Sequence, residues 1–295
     1  MHATGRTDGS GRTDVFEEHR GRLFGIAYRM LGSVADAEDL VQETWLRWSR
    51  VTGPVRNPGG YLTRTVTNLS LNRLSSAAVQ RETYVGPWLP EPLVTAPDAA
   101  EDAELAESVS LALLVVLESL SPLERAVFVL KEVFGFSYRE IGESLGRGEA
   151  AVRQVGHRAR SAVRARRPRY DAPREVRRRV TDEFLTACVG GDLNRVMQLL
   201  APDVTLWTDG GGRVRAALRP LHGPDKVARF LLAVAGSQQG LGARPVAVNG
   251  EPGLLITVDG HPDAVAVLEV ADGRVGEVRL VRNPDKLRHL RRTGP

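Results

Sequence analysis

The residues whose types and spacing most clearly suggest chemistry lie on a helix predicted from Glu149 to about Ala165. Its apolar face carries Val152, Val155, Ala159 and Val163 at helical spacing. The opposite face carries Ala150, Arg153, Gln154, His157, Ser161 and Arg164. Arginine binds guanine through two hydrogen bonds, glutamine binds adenine, and alanine leaves room for a thymine methyl group. This face predicts a reader of DNA bases, although a solvated arginine-rich helix would show the same pattern.

The elements around this helix favour the DNA hypothesis. Ser121 with Glu124, and Ser137 with Glu140, form two capping-box patterns. The second pattern opens a short helix that ends at Gly146, so two helices joined by a glycine-containing turn predict a helix-turn-helix. Residues 147–169 contain eight arginines and one glutamate. The arginines that flank the reading face, such as Arg147 and Arg158, would neutralise DNA phosphates.

Two more polar faces occur earlier in the chain, and each is ambiguous by itself. A helix opened by the capping pattern of Ser33 presents Asp36, Glu38, Asp39, Gln42 and Glu43. This acidic face is either solvated surface or a docking face. The next helix begins at Asn57–Pro58 and presents Tyr61, Arg64, Asn68 and Asn72 after Arg56. These groups suit contact with unstacked bases, although polar stripes are mostly just solvated.

An enzymatic interpretation has few candidate residues. Trp207, Asp209 and His222 come nearest to an acid–base set, but such catalysis requires the groups to converge at hydrogen-bond distance. A turn with three glycines explains Asp209 better, and a loop position explains His222. The histidines 2, 19, 261 and 289 have no metal-ligand spacing with one another or with Cys188. We therefore expect no catalysis, no metal and no cofactor.

Composition limits the class of protein. The chain has 295 residues, one cysteine and a formal net charge of +4, which favours two or three domains in a reducing compartment. No apolar run approaches the ~20 residues of a membrane span, and the opening residues lack a signal-peptide core. We expect a cytoplasmic protein with no membrane partner. Residues 82–124 hold nine carboxylates and no lysine or arginine, and a basic block follows them, which indicates a polyanionic partner.

Changes in composition divide the chain into five segments. We expect a disordered lead-in over residues 1–13, a helical domain over 14–80, and an acidic proline-containing linker over 81–107. A helix-turn-helix domain follows over 108–168, and an α+β domain over 174–290. The predicted strands of the last domain are 204–208, 214–218, 254–258, 264–270 and 274–281. Trp88, flanked by prolines in the linker, is expected to dock on this chain or on a partner.

Two parts of the sequence resemble a known family. LFGIAYRMLGSVADAEDLVQETWLRW and YLTRTVTNLSLNRL closely resemble the second conserved region of bacterial sigma-70-type factors of the extracytoplasmic-function (ECF) class. LSPLERAVFVLKEVFGFSYREIGESLGRGEAAVRQVGHRAR resembles their fourth region. The resemblance covers most of residues 14–168 and implies an RNA polymerase sigma factor, in which two all-α sigma domains are joined by the acidic linker.

The resemblance also implies three contacts with other molecules. The acidic helix would dock on the β′ clamp helices of core RNA polymerase through Asp36, Glu38, Asp39, Leu40, Gln42 and Glu43. The following helix would engage and open the promoter −10 element through Arg56, Asn57, Tyr61, Arg64, Asn68 and Asn72. The helix-turn-helix would read the −35 element through Arg147, Ala150, Arg153, Gln154, His157, Arg158, Ser161 and Arg164.

Three further motifs resemble the sigma-J-like group of this class, whose C-terminal extension is a SnoaL-like α+β cone. They are YVGPWLPEPL in the linker, Asp209–Arg213, and Asn283–Leu287. The resemblance implies that the cone contacts the linker and tunes activity in cis through Trp88, Asp209, Gly210, Gly211, Gly212, Arg213, Asn283, Pro284, Asp285, Lys286 and Leu287. The group generally has lysine after the three glycines, so Arg213 keeps the charge but changes the geometry. We expect Arg213 to pair with the acidic linker.

The sequence therefore predicts a multidomain sigma factor of the bacterial nucleoid. Its expected partners are core RNA polymerase, promoter DNA and its own SnoaL-like domain. A one-component DNA-binding regulator with a ligand-binding, or more weakly catalytic, C-terminal domain is the alternative. A small ligand of the cone is left open by the sequence.

Overall fold

The computed structural model describes residues 8–95, 110–166 and 172–291. The chain divides into two compact units. The first consists of Met1–Val79 and Val116–Arg166, and the second of Gln80–Val115 and Arg167–Pro295. The predicted linker thus belongs, in its described part, to the same unit as the C-terminal domain. Each unit is described separately below.

The first unit begins with three helices, α1 (Asp8–Leu31), α2 (Val34–Ser49) and α3 (Pro58–Glu82). Gly32 ends α1 with a positive φ of 67°, which glycine adopts without steric cost. Ser33 then caps α2, because its hydroxyl accepts from the Asp36 amide at 3.2 Å. Helical spacing places five residues of α2 on one inward face, and all are buried: Ala37, Leu40, Val41, Thr44 and Trp48.

The predicted disordered lead-in is wrong for residues 8–13, which form the first turns of α1. Arg12 explains the difference, because its guanidinium donates to the carbonyls of Trp48, Val51 and Gly53 where α2 ends. The Trp48 indole donates in return to the Arg12 carbonyl at 3.0 Å. These long-range bonds satisfy carbonyls that a helix end leaves without partners. Residues 1–7 lie outside the described residues.

The second part of the first unit contains α4 (Leu111–Leu117), α5 (Pro122–Phe128), a π-helical turn (Val129–Val133), α6 (Tyr138–Leu145) and α7 (Glu149–Arg166). Helix α4 crosses the boundary between the units. The sequence also predicts a helix over residues 101–119, and its part before residue 110 lies outside the described residues. Both predicted capping boxes are confirmed: the Ser121 and Ser137 hydroxyls accept from the amides of Glu124 and Glu140, whose carboxylates accept from the serine amides.

The helix-turn-helix prediction is confirmed, and glycines allow its two helices to approach. Gly146 ends α6 in the left-handed region with φ 64°. A Cβ on Gly142 would lie 2.6 Å from the carbonyl oxygen of Arg147 in the turn. A Cβ on Gly156 would lie 2.9 Å from the Tyr138 ring. The sequence of α6 and α7 therefore fixes the angle at which α7 is presented.

The second unit is an α+β cone with a seven-stranded sheet. Its helices are α8 (Arg174–Val189), α9 (Leu193–Leu199) and α10 (Pro224–Gly236). Its strands are β1 (Val94–Thr95), β2 (Leu200–Asp209), β3 (Leu221–His222), β4 (Leu241–Val248), β5 (Glu251–Val258), β6 (His261–Ala271) and β7 (Arg274–Val281). They lie in the order β1, β4, β5, β6, β7, β2, β3, and only β2 with β7 pairs in parallel.

One predicted strand of this unit is wrong, and three observed strands, β1, β3 and β4, were not predicted. Residues 214–218 are not a strand, because the Thr208 hydroxyl takes over two of their backbone groups: it accepts from the Ala217 amide at 2.8 Å and donates to the Ala217 carbonyl at 3.1 Å. Strand β4 was missed because Pro245 and Gly242 weaken its pattern. Strand β1 was missed because it lies in the linker.

The helices cover one face of the sheet with a packed apolar core. Phe184 on α8, Val196 on α9 and Val227 on α10 pack with inward residues of the strands such as Leu206 and Leu280. These side chains form one contiguous apolar core between the helices and the sheet. Within residues 8–95, 110–166 and 172–291, no helix is both long and apolar enough to cross a membrane.

Candidate DNA and polymerase interfaces and the linker anchor

Helix α7 presents the predicted −35 face to solvent. Val152, Val155, Ala159 and Val163 are buried on one side of the helix. The eight predicted reading residues are all exposed: Arg147, Ala150, Arg153, Gln154, His157, Arg158, Ser161 and Arg164. The partition of α7 into a packed face and a polar face is therefore the one predicted from its sequence, while the DNA contact itself remains a prediction.

Two arginines of this face are paired with carboxylates of the same unit. Arg153 Nη2 lies 2.6 Å from Glu149 Oε1, one turn earlier on α7, and Arg158 Nε lies 3.4 Å from Glu124 Oε1. All four side chains are at least partly exposed, and such pairs contribute only about 0–1 kcal/mol. Phosphate or guanine acceptors can therefore replace these carboxylates at small cost.

The acidic face of α2 is solvent-facing, with one correction. Glu38, Asp39 and Gln42 are exposed, whereas Asp36 and Glu43 are half-buried and pair with Arg73 at 3.5 Å and Arg47 at 2.6 Å. Leu40 is only 2 % exposed, because it lies on the apolar face of α2. Its predicted polymerase contact is therefore wrong, and Leu40 instead packs α2 into the unit.

Sequence reasoning missed an apolar residue on the same face. Leu46 follows Asp39 by seven positions and Gln42 by four, so the three side chains lie in line on one face of α2. Leu46 is 51 % exposed. Its helical spacing from Gln42 was the signal that could have found it.

Helix α3 holds the predicted −10 residues, but not all of them face outward. Arg56, Arg64 and Asn72 are exposed and Asn68 is half-buried. The Asn57 side chain caps α3 by accepting from the Gly60 amide at 2.8 Å. Tyr61 is half-buried and packs against Trp48, with ring centroids 5.6 Å apart.

The second unit is organised around Asp209, a fully buried carboxylate at the end of β2. The Tyr84 hydroxyl donates to its Oδ1 at 2.5 Å, the Leu89 amide to its Oδ2 at 2.8 Å, and the Lys286 ammonium to the same oxygen at 2.7 Å. Its carbonyl accepts from the Arg282 and Asn283 amides. Asp209 therefore joins the linker, the glycine turn and the Asn283–Leu287 segment.

Aromatic side chains of the linker surround the lysine. The Lys286 ammonium lies 4.1 Å from the centroid of the Trp88 ring and 5.0 Å from that of Tyr84, within the range of a cation–π contact. It also donates to the Leu89 carbonyl. Burial, and then the hydrogen bond to the Asp209 carboxylate, raise the pKa of Tyr84. Trp88, expected to dock on this chain or on a partner, contacts Lys286 of its own chain, and Tyr84 was missed.

The glycines after Asp209 allow the linker to lie close. Gly211 and Gly212 have positive φ values of 58° and 69°. A Cβ on Gly211 would collide with the Asn283 amide, and one on Gly212 would lie 3.2 Å from the Val85 Cβ. Side chains at these two positions would therefore strain the backbone and push the linker away.

The linker stays attached along its described length, so we call residues 84–95 the strap. The Pro92 carbonyl contacts His289 Nε2 at 2.8 Å. The Leu93 amide donates to Asn249 Oδ1 at 3.1 Å, and the Leu93 carbonyl accepts from the Asn249 amide at 2.8 Å. Val94 and Thr95 then pair with β4 as strand β1. Neither His289 nor Asn249 was singled out from the sequence for this contact.

Arg213 was predicted to contact the acidic linker, and this stays a prediction because residues 96–109, with most of the linker's carboxylates, lie outside the described residues. Its guanidinium lies 3.4 Å from Asp285 Oδ2, and both side chains are exposed. The buried arginine of this region is Arg282, which pairs with Asp263 at 2.8 Å and donates to the Arg215 carbonyl at 3.0 Å. Leu287 is fully buried, and Pro284, Asp285 and Lys286 connect it to Asn283. Arg282, adjacent to the predicted motif, therefore fixes the glycine loop.

The acid–base candidates of the cone do not converge. Asp209 is occupied by the strap, while His222 pairs with Thr205 across β2 and β3, with its Nδ1 3.1 Å from the Thr205 hydroxyl. Thr205 precedes Asp209 by four residues of strand, which is about 13 Å. Among the described residues, no group of three or more His, Cys, Asp or Glu side chains could hold a metal ion.

Comparison with known proteins assigns the class. A sigma-70 region 2 family model matches residues 15–79, and a sigma-70 region 4 model matches residues 110–163. The chain is 42% identical to the ECF RNA polymerase sigma factor SigJ of Mycobacterium tuberculosis, over 92% of this chain and 91% of that protein. It is 32% identical to the probable ECF sigma factor SigI of the same species, over 94% and 95%.

A solved structure is similar over nearly the whole chain. The crystal structure of Mycobacterium tuberculosis SigJ has a TM-score of 0.75 and 38% identity, covering 94% of this chain and 98% of that one. The chain belongs to the ECF RNA polymerase sigma factors, with a SnoaL-like C-terminal extension. As a member of that family it acts in transcription initiation with core RNA polymerase and promoter DNA.

Proposed function

We propose that this sigma factor directs core RNA polymerase to −35/−10 promoters and that its cone tunes this activity in cis. Helix α7 reads the −35 element, α3 engages and opens the −10 element, and α2 docks on the β′ clamp helices. The observation that carries the proposal is the exposed face of α7. It combines guanidinium, amide and imidazole groups that recognise base edges with arginines that neutralise phosphates.

The docking face of α2 has the composition of a protein interface. Asp39 and Gln42 supply charge and hydrogen bonding, and Leu46 supplies an exposed apolar centre. Few residues carry most of the energy of an interface, and they lie near its centre. Leu46 thus replaces the buried Leu40 in the set proposed to bind polymerase.

The regulatory part of the proposal rests on the strap. The linker connects region 2 to region 4, and its residues 84–95 are fixed to the cone through Asp209, Lys286 and β4. An anchored connection has fewer conformations than a free chain, so releasing the strap changes how region 4 is tethered. The cone therefore acts on promoter use through the strap.

Run-off transcription with core polymerase tests both parts. Full-length protein is compared with truncations before Asn283 and before Val176, and with Lys286→Met in the intact chain. Lys226→Met, on the exposed side of α10, is the matched control. We expect core-dependent transcripts from the full-length protein and altered output from the truncations and from Lys286→Met.

The outcomes separate the two claims. No transcript from any form at candidate promoters contradicts initiation. Equal output from every form contradicts tuning in cis. Specific promoter binding that needs no polymerase, together with absent transcription, would support the one-component regulator instead.

A further inference from the structure

Arg12, near the start of α1, ties the end of α2 and the loop that follows it to the first helix. Its guanidinium donates to the Val51 carbonyl, to the Gly53 carbonyl at 3.0 Å and to the Trp48 carbonyl at 3.4 Å. The last carbonyls of a helix have no partner within it, and the fork of an arginine can serve several of them at once. We call Arg12 with Trp48, Val51 and Gly53 the brace.

The brace continues through an aromatic ring to Tyr61, one of the residues proposed to engage the −10 element. The Arg12 guanidinium lies 5.5 Å from the centroid of the Trp48 ring, within the range of a cation–π contact. The Trp48 indole donates in return to the Arg12 carbonyl at 3.0 Å. The same indole packs against the Tyr61 ring, with centroids 5.6 Å apart. Arg12 is therefore linked to Tyr61 through one buried side chain.

The braced loop carries two more of the proposed −10 residues. Residues 50–57 connect α2 to α3, and Arg56 and Asn57 at the end of this loop are exposed. Residues 52–54 are exposed as well, so little packing fixes the middle of the loop. A segment with few buried contacts opens easily. Hydrogen bonds from a side chain on a rigid helix therefore decide much of the conformation of this loop.

We propose that the brace positions the −10 residues, with Arg12 as a positioning residue that does not itself touch DNA. Arg12 holds Trp48, and through it Tyr61, and it fixes the loop that ends in Arg56 and Asn57. The inference rests on the proposed function, in that α3 engages and opens the −10 element. A loop held in its bound conformation before binding loses less conformational entropy when it captures an unpaired base.

The surroundings of Arg12 separate this role from general support of the fold. Helices α1 and α2 also pack through apolar side chains, such as Phe16 with Trp45, whose ring centroids are 5.1 Å apart. The Arg12 side chain is partly exposed, and its hydrogen bonds go to backbone carbonyls. Loss of the guanidinium should therefore free the loop while region 2 stays folded.

Hydrogen exchange of the free full-length protein tests the structural step. Arg12→Gln removes the charged fork, and Arg20→Gln, at an exposed arginine further along α1, is the matched control. We expect faster exchange over residues 50–57 in Arg12→Gln and no change there in Arg20→Gln, because local opening is what the brace opposes. Unchanged exchange of this loop in Arg12→Gln overturns the proposal.

Capture of single-stranded DNA tests the functional step. The probe is a fluorescent non-template-strand oligonucleotide that covers the −10 element of a promoter transcribed by the unchanged holoenzyme. We expect Arg12→Gln to raise the Kd for this probe about three- to tenfold, because the apparent Kd rises as the binding-competent fraction falls. The affinities for core polymerase and for a −35 duplex should stay unchanged, which a loss of folding could not produce. An unchanged Kd for the probe overturns the proposal.

Arg12→Lys is the conservative variant. It keeps the charge and an aliphatic stem, but an ammonium group lacks the planar fork that serves several carbonyls and stacks on a ring. We expect its loop exchange and its Kd for the probe to lie between those of the unchanged protein and of Arg12→Gln. It also keeps the test valid if Arg12→Gln unfolds. A lysine variant that equals the unchanged protein in both measurements would show that charge alone is sufficient, which overturns the brace.

The brace and the proposed function fail differently. If the unchanged holoenzyme transcribes and captures the probe, and Arg12→Gln captures it equally well, the brace alone is wrong. If the unchanged holoenzyme neither transcribes any candidate promoter nor captures its −10 strand, the proposed function is wrong and the brace falls with it.

Discussion

Lys286 Nζ lies 2.7 Å from Asp209 Oδ2, and both side chains are buried. The pair brings together three motifs that are far apart in the chain, since the Leu89 amide donates to the same carboxylate oxygen. A buried charge whose partner is removed is left without compensation, which costs about 3–5 kcal/mol. This ion pair is therefore one of the contacts that hold the strap on the cone, together with the pairing of β1 with β4.

Lys286→Met is expected to destabilise the second unit by about 3–5 kcal/mol, because the Asp209 carboxylate is left buried without its cation. Urea denaturation measures the loss of unfolding free energy, and proteolysis reports release of the strap. The double variant Asp209→Asn with Lys286→Met should lose clearly less unfolding free energy than the two single variants lose in sum, because the two side chains interact directly.

The control is Lys226→Met, which removes an exposed lysine from α10. It should stay within about 0.5 kcal/mol of the unchanged protein. Additive losses in the double variant would show that the two side chains act independently, and the anchor would then not depend on their pairing.

Local signals explain why the helix-turn-helix could be predicted from sequence. Ser137 with Glu140 opens α6 and Gly146 closes it within nine residues, so neighbouring positions decide the structure. The inward and outward faces of α7 followed in the same way from spacing. On α2, helical spacing likewise places Leu40 on the buried face and Leu46 in line with Gln42. The resemblance nevertheless assigned the polymerase contact to Leu40.

The strap could not be predicted in the same way. Its bonds join positions 120 to 199 residues apart, as in Leu89 with Asp209 and Tyr84 with Asn283. The resemblance located the three motifs without saying which of their residues meet, such as Arg213 with Asp285. Such contacts depend on the whole sheet being formed, so no window of sequence contains them.

A methyl group at Gly142 should disturb the turn that presents α7. Its Cβ would lie 2.6 Å from the Arg147 carbonyl oxygen, and backbone cannot move aside as a flexible side chain can. Gly142→Ala is expected to cost about 1–3 kcal/mol of unfolding free energy and to weaken binding to a −35 duplex. Thermal unfolding and fluorescence anisotropy measure the two effects.

Gly148→Ala is the matched control in the same turn, because a Cβ there meets nothing within 4 Å. It should leave the melting temperature and DNA affinity nearly unchanged. Equal effects of the two substitutions would mean that the close approach of Gly142 is not what sets the turn.

Glu277 gives the second unit a pH dependence of known sign. Burial raises its pKa above the usual 4.5, although Arg279 opposes the shift. A carboxyl group with a raised pKa in the folded state contributes stability below the unfolded pKa, and this contribution is lost as pH rises through the folded pKa. Above pH 4.5 the folded protein holds the Glu277 proton more tightly than the unfolded protein does, so the unfolding free energy falls as pH rises. Glu277→Gln should make this fall less steep.

Urea denaturation at a series of pH values measures this slope. Glu175→Gln, an exposed carboxylate on α8, is the control and should leave the slope as in the unchanged protein. A steeper fall in Glu277→Gln would show that its ion pair with Arg279 outweighs the burial of its charge.

Two substitutions on α7 should separate base reading from phosphate binding. Gln154→Ala removes a side chain that can pair with adenine. It is therefore expected to reduce the binding free energy for the preferred −35 sequence by about 1–3 kcal/mol and to change binding to other sequences little. Arg164→Ala removes a terminal cation of the same face. It should weaken binding to all DNA sequences alike. The slope of log affinity against log salt concentration should become shallower by about 0.9, as expected for one lost phosphate contact.

Holoenzyme binding to labelled promoters that differ at single −35 positions, over a series of salt concentrations, distinguishes the two roles. Arg229→Ala, from an exposed pair with Asp225 on α10, is the control and should change neither sequence preference nor salt slope. If Gln154→Ala lowered affinity for every sequence equally, α7 would be binding the backbone there, and base recognition would have to come from Arg153 or His157.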